Sequence, residues 1–159
     1  MSTYQATIRW RRNDAPFTDN RYSRAHEIVF DGISIAGSSS PSVVPLPMSV
    51  EAAVDPEETF TASLSSCHML WFLDLARRDG LIVDSYDDEA TGVLGKDAEG
   101  RMAMTQVTLR PAVRFSGGTP DPDRFAALHH RAHERCFIAN SVKTEVAIQP
   151  TLIPPILIP

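Results

Sequence analysis

Residues 55–80 read DPEETFTASLSSCHMLWFLDLARRDG, and their reading decides the fold. Asp55 suits the N-cap, Pro56 the first helical position, and Glu57 and Glu58 place acids against the positive end of the helix dipole. Arg77 and Arg78 belong to a last turn and Gly80 to a left-handed stop, so the stretch predicts a helix running to about Asp79. Phe60, Leu64, Met69, Leu70, Trp71, Phe72, Leu73 and Leu75 cover most of its circumference rather than one stripe. A helix apolar nearly all round is either central or shared with a second subunit. In its middle sits Cys67, one of two cysteines in the chain, with small residues before it and large apolar ones after it.

Outward from this helix the patterns are those of strands. TYQATIRW alternates roughly by two, and HEIVFDGISIAG repeats the pattern around Asp31-Gly32, a turn dipeptide that predicts a hairpin. GSSSPSVVPLPMSVEAAVDP, dense in Ser and Pro, reads as an extended connection. Beyond the helix, LIVDSYDDEATGVLG and RMAMTQVTLRPAVRFSG predict strands about a turn at 97–100. A second helix follows Pro-Asp-Pro-Asp over about Arg124 to Arg135, CFIANS breaks it, and VKTEVAIQP supplies a last strand. The tail 151–159, TLIPPILIP, has three prolines in nine residues and reads as an extended arm. Residues 1–159 show no repeat and no dividing linker, which predicts a single α+β domain.

Composition narrows the function. A formal charge of -5, from 15 basic and 20 acidic residues, argues against a nucleic-acid or anionic-membrane partner. The start, MSTYQATIRWRRND, lacks the apolar run of a signal peptide, and no stretch approaches the roughly 20 apolar residues of a membrane span. The expected compartment is the cytoplasm. There, two cysteines are inert buried thiols or carry redox or metal chemistry.

Three groupings are candidates for that chemistry. Cys67 and Cys136 are too far apart in sequence for a CxxC motif. His129, His133 and Cys136 fall at i, i+4, i+7 of a helix and could face zinc, although no carboxylate completes the shell and the bland alternative is a solvated histidine face. Glu57 and the arginines Arg21 and Arg24 of TDNRYSRAH are, on the residues alone, a cap residue and surface charges.

A resemblance reweights these. DPEETFTASLSSCHM resembles the active-site helix of the OsmC/Ohr family, the osmotically inducible protein C and organic hydroperoxide resistance proteins. AHERCFIANSV resembles the same family's second-cysteine motif. The likeness covers nearly the whole chain before the tail. It implies an OsmC-like α+β fold in which strand-rich subunits of an intertwined homodimer wrap long central helices, with peroxide sites at the interface. It also implies that Cys67 attacks an organic hydroperoxide or hydrogen peroxide and becomes a sulfenic acid. Cys136 would resolve this to a disulfide, and a dithiol, lipoyl-type in the organic hydroperoxide branch, would reduce it, with no cofactor.

The resemblance further implies an arginine oriented by a glutamate to favour the thiolate, a role for which a guanidinium that never loses its charge is suited. Glu57 matches the glutamate. YSRAH resembles a Tyr-Ser-Arg-x-His stretch of OsmC-like relatives, which favours Arg24 over Arg21. The Gly-Arg-x-Gly stretch of the Ohr branch is absent, His68-Met69 follows the first cysteine, and Phe137 stands where Ohr proteins commonly carry Pro; these departures point to a broader OsmC-like branch. Glu57 and Cys67 lie ten residues apart, about 15 Å along one helix, so the glutamate of a partner's helix is expected beside the thiol. The expected pocket is apolar, with Trp71 and Phe72 in its wall. The competing readings are a non-catalytic protein that binds an apolar ligand in that pocket, and a zinc protein.

Overall fold

The computed structural model describes residues 1–154. Two compact units divide the chain, Met1–Thr59 and Phe60–Pro159. Among the described residues the elements include two α-helices and nine strands in three small sheets, the α+β class expected.

In the N-terminal unit, β1 (Thr7–Arg9), β2 (His26–Phe30) and β3 (Ile33–Gly37) form an antiparallel sheet in that order. The β2–β3 hairpin turns at Asp31-Gly32, where Gly32 takes φ +79°. Only three residues of TYQATIRW pair, at the sheet edge and exposed, so alternation there outran the partner available. The Ser- and Pro-rich segment is not extended. It loops back in successive turns, with the Ser38 and Val54 N–H groups bonded to the Val54 and Ala36 carbonyls, and the Ser38 hydroxyl accepting from Val50 N–H at 2.9 Å. Serine hydroxyls that bond nearby backbone favour turns over extension.

Helix α1 (Pro56–Arg78) begins with a capping box: Glu58 N–H donates to the Asp55 carboxylate at 2.7 Å, and Asp55 N–H donates back to Glu58 Oε2 at 3.1 Å. It ends at Gly80, φ +73°, with Gly80 N–H on the Arg77 carbonyl and Leu81 N–H on that of Ala76, a Schellman motif.

In the C-terminal unit, β4 (Ile82–Asp88) pairs antiparallel with β7 (Pro111–Ser116), and β5 (Thr91–Lys96) with β6 (Met102–Leu109). Helix α2 (Pro122–Arg135) starts two residues earlier than expected, capped by Asp121. Strands β8 (Glu145–Ile148) and β9 (Thr151–Ile153) add in parallel to β6 and β7. The first residues of the expected extended arm are therefore an edge strand, and 155–159 lie outside the described residues.

One face of α1, Phe72, Leu75 and Ala76, packs with Val113 and Phe115 of β7 and Phe125, Leu128 and Ala132 of α2. Nearer the start of the helix, Leu64 packs on Val107 and Leu109 of β6. Gly92 of β5 lets the helix come close: a Cβ there would stand 2.5 Å from the Thr61 hydroxyl. Among the described residues no helix is long and apolar enough to cross a membrane.

Candidate active site

Cys67 is placed by the middle of α1, on the side turned away from the core. The buried positions Leu64, His68, Phe72 and Leu75 recur at the spacing of one helical face, and Ser63, Ser66, Cys67, Leu70, Trp71 and Asp74 occupy the other. Ser65 ties the helix to β4 by donating to Asp88 Oδ2 at 2.5 Å.

Cys136 is placed by the end of α2. Its N–H closes on the His133 carbonyl at 3.1 Å, and Asn140 N–H bonds the Cys136 carbonyl at 3.0 Å. The Asn140 amide donates to the Glu134 carbonyl and the Ser141 hydroxyl to that of Phe137. The residues of CFIANS thus form a tight self-bonded turn that holds the sulfur inward, and Cys136 is 1% exposed.

The two free thiols lie close enough for the Cys67 side chain to act on the Cys136 thiol. Burial foremost, then this contact with Cys67, pushes the Cys136 thiol up to about 11, partly offset by Ala139 N–H donating to its sulfur at 3.4 Å. At neutral pH Cys136 keeps its proton. Cys67 is half-buried and opens onto a cavity of about 550 Å³ lined by the α1 residues above together with Phe137 and Ile138. Phe137 meets Trp71 edge-on, ring centroids 5.4 Å apart at 88°, and the Arg135 guanidinium lies 5.7 Å from the Trp71 centroid.

Trp71 lines this cavity as expected, but Phe72 does not. Successive helical residues point about 100° apart, and Phe72 is fully buried, stacked on His129 at 4.3 Å. The zinc reading fails similarly. His129 is turned into the core, its Nδ1 3.0 Å from Nε2 of His68, while Cys136 is engaged by Cys67 and His130 is out in solvent beside Glu134. Among the described residues no group of three or more His, Cys, Asp or Glu side chains is placed to hold a metal.

Arg24 and Glu57 belong to the N-terminal unit. Arg24 lies over the Tyr22 ring, 3.8 Å from its centroid, and donates to Asn20 Oδ1 at 2.6 Å, to the Asn20 carbonyl and to the Tyr22 carbonyl. Tyr22 is stacked on Phe17 and edge-on to Trp10. Arg21 is exposed and contributes a backbone N–H to Asp19. Glu57 is half-buried in the first turn of α1. The sequence reading missed Asp74, Arg135 and Ile138; the i, i+3, i+4, i+7 spacing from Cys67 was the signal for Asp74, and the stretch AHERCFIANSV held the other two beside Cys136.

A model of the OsmC-like protein family matches residues 49–151. The chain belongs to the OsmC-like family. It is also similar to an OsmC-like protein of unknown function from Vibrio cholerae, 54% identical, with a TM-score of 0.92 over 94% of this chain and 99% of that one. At fold level the likeness extends to an organic hydroperoxide resistance protein of Elizabethkingia anophelis, 14% identical, TM-score 0.66, covering 96% of each chain. It extends as well to the organic hydroperoxide resistance protein OhrB of Bacillus subtilis, 19% identical, TM-score 0.63, over 96% of this chain and 98% of that one. No curated protein matches the sequence. The OsmC-like fold is thereby established.

Proposed function

We propose that this OsmC-like protein is a thiol-dependent peroxidase that reduces organic hydroperoxides, with hydrogen peroxide as a smaller candidate substrate. The observation that carries the reading is the contact of two free thiols at the edge of an apolar cavity, one buried and protonated, the other open to a ligand.

The thiolate of Cys67 attacks the terminal peroxide oxygen and supplies the electron pair that breaks the O–O bond. The alkoxide leaves, takes a proton and departs as an alcohol, while Cys67 becomes a sulfenic acid. The Cys136 sulfur then attacks that of Cys67; its proton leaves with the hydroxyl as water, and a disulfide forms. An external dithiol, of lipoyl type in our reading, returns two electrons and two protons and is itself oxidised. Cys67 lies about three turns into α1, beyond the first turn where a helix dipole acts strongly, so its thiolate needs a separate cation. We assign that role to Arg24, oriented by Glu57 of a second copy in a homodimer working in the reducing cytoplasm. Support for a second copy comes from exposed apolar surface beside the site, where Leu70 is 61% exposed.

One equivalent of cumene hydroperoxide should yield an intrachain Cys67–Cys136 disulfide, read by mass spectrometry as the loss of two hydrogens. Cys136→Ser should instead hold one added oxygen on Cys67, and Cys67→Ser should abolish turnover with dithiol. Unoxidised Cys67 after that treatment rejects the reading. The apolar lining also suits a non-catalytic protein holding an apolar ligand, which would bind cumyl alcohol without consuming peroxide.

A further inference from the structure

We infer that the corner formed by Trp71 and Phe137 is the specificity-determining element of this cavity, selecting neutral hydroperoxides that carry a compact aryl group over those with long flexible chains. The inference rests on the peroxidase reading for the chemistry, and on the cavity alone for the binding.

Four observations support it. First, Phe137 stands 68% exposed, so core packing does not account for its ring, yet it is held at 88° to Trp71 with centroids 5.4 Å apart. That is the favourable edge-to-face geometry, and a third ring can stack on one partner while meeting the edge of the other. Second, the corner is preorganised. Trp71 is fixed by Arg135 as well as by Phe137, and the Phe137 carbonyl is fixed by the Ser141 hydroxyl at 2.7 Å. A rigid wall rewards a rigid group, whereas a flexible chain loses rotamer freedom on binding.

Third, Phe137 follows Cys136 directly in the self-bonded turn, so the wall is tied in position to the thiol pair. A group seated in the corner is thereby held near Cys67, which lines the same cavity. Fourth, the remaining polar lining is Ser63, Ser66 and Asp74, and the Ser63 hydroxyl is spent on the Phe60 carbonyl at 2.7 Å. Asp74 is bridged to Arg77 at 2.9 Å and Arg78 at 2.7 Å. Those bridges keep its carboxylate ionised and occupied, which leaves an uncharged apolar group as the ligand the cavity accommodates.

The test compares kcat/KM for cumene hydroperoxide and for a linear long-chain alkyl hydroperoxide across wild type, Phe137→Ala, Phe137→Leu, Phe137→Tyr and Trp71→Phe, with folding checked by circular dichroism and assembly by light scattering. The ratio of the two values should fall about tenfold in Phe137→Ala, mainly through KM for cumene hydroperoxide, and Phe137→Tyr should restore it. A second readout needs no turnover: the unreactive product cumyl alcohol should quench tryptophan fluorescence saturably in wild type and not in Phe137→Ala. An unchanged ratio in folded Phe137→Ala or Phe137→Leu overturns the inference, as does quenching that survives in Phe137→Ala. Wild type that binds cumyl alcohol but consumes no peroxide would defeat the peroxidase reading and leave the aryl site standing.

Discussion

Among single residues, the arginine assignment is the one on which the chemistry turns. Arg24 is already oriented: its guanidinium rests on Tyr22 and is gripped by Asn20. Arg24→Ala should slow peroxide reduction by one or more powers of ten, because it removes charge that favours the thiolate and the transition state. Arg24→Lys should recover only part, since a point charge cannot make the fork to Asn20. Arg21→Ala should remain near wild type in stopped-flow oxidation of Cys67. An inactive Arg21→Ala beside an active Arg24→Ala would move the role to Arg21, and an inactive Arg135→Ala would move it to the cation beside Trp71. Sequence singled out both cysteines because each sits in a recognisable local motif. It could not separate Trp71 from Phe72 as cavity and core, because the helix is apolar on both sides and neighbouring residues differ only by their turn about its axis.

The helix that carries Cys67 was legible from end to end, since its signals are local: cap, first-turn acids, last-turn arginines and Gly80. Its box makes Asp55 the residue on which the start depends. Asp55→Ala should cost about 1 kcal/mol in urea unfolding at pH 7, and Asp55→Ser should recover most of it. A loss within error for Asp55→Ala would show that the helix start is held by its packing alone. Elements whose pairing is distant were harder to read. Strand β1 shrank to three residues because its sheet gives it one neighbour, while Thr151–Ile153 became a strand because β7 offered it a free edge. Pro154 and the prolines after it signalled an end to pairing, not where pairing would begin.

At the scale of the whole molecule, the two parallel pairings, β6 with β8 and β7 with β9, tie the last strands of the C-terminal unit to its middle strands, and no local pattern announces them. The same long-range packing buries two imidazoles. His68 and His129 lie coplanar within 3°, their facing nitrogens 3.0 Å apart, among Phe72, Phe125 and Tyr86, and His68 Nδ1 and His129 Nε2 find no protein partner among the described residues. Burial first, then the charge of His133, pushes His68 down to about 4; burial first, then His68, pushes His129 down to about 3. Tyr86, raised by burial and then by Asp88, stays neutral and cannot compensate a charged imidazole.

The sign of the pH effect follows from these directions. Above the unfolded value near 6.5 both states are neutral at these sites and pH has no purchase. As pH falls below it, the unfolded chain binds protons that the folded pair refuses, so stability drops, and the drop levels off only below about 4 to 3 as the folded pair begins to take protons. For two such groups the loss between pH 7 and pH 5 should be roughly 2–4 kcal/mol, read as a lower urea midpoint at constant m. A His68→Leu, His129→Leu double variant should flatten that slope even if its stability at pH 7 has changed. In the intact protein, two imidazole proton signals should fail to titrate between pH 7 and pH 5. Two titrating signals at these positions, or a urea midpoint unmoved over that interval, would mean that water reaches the pair and that its burial is not what sets acid stability.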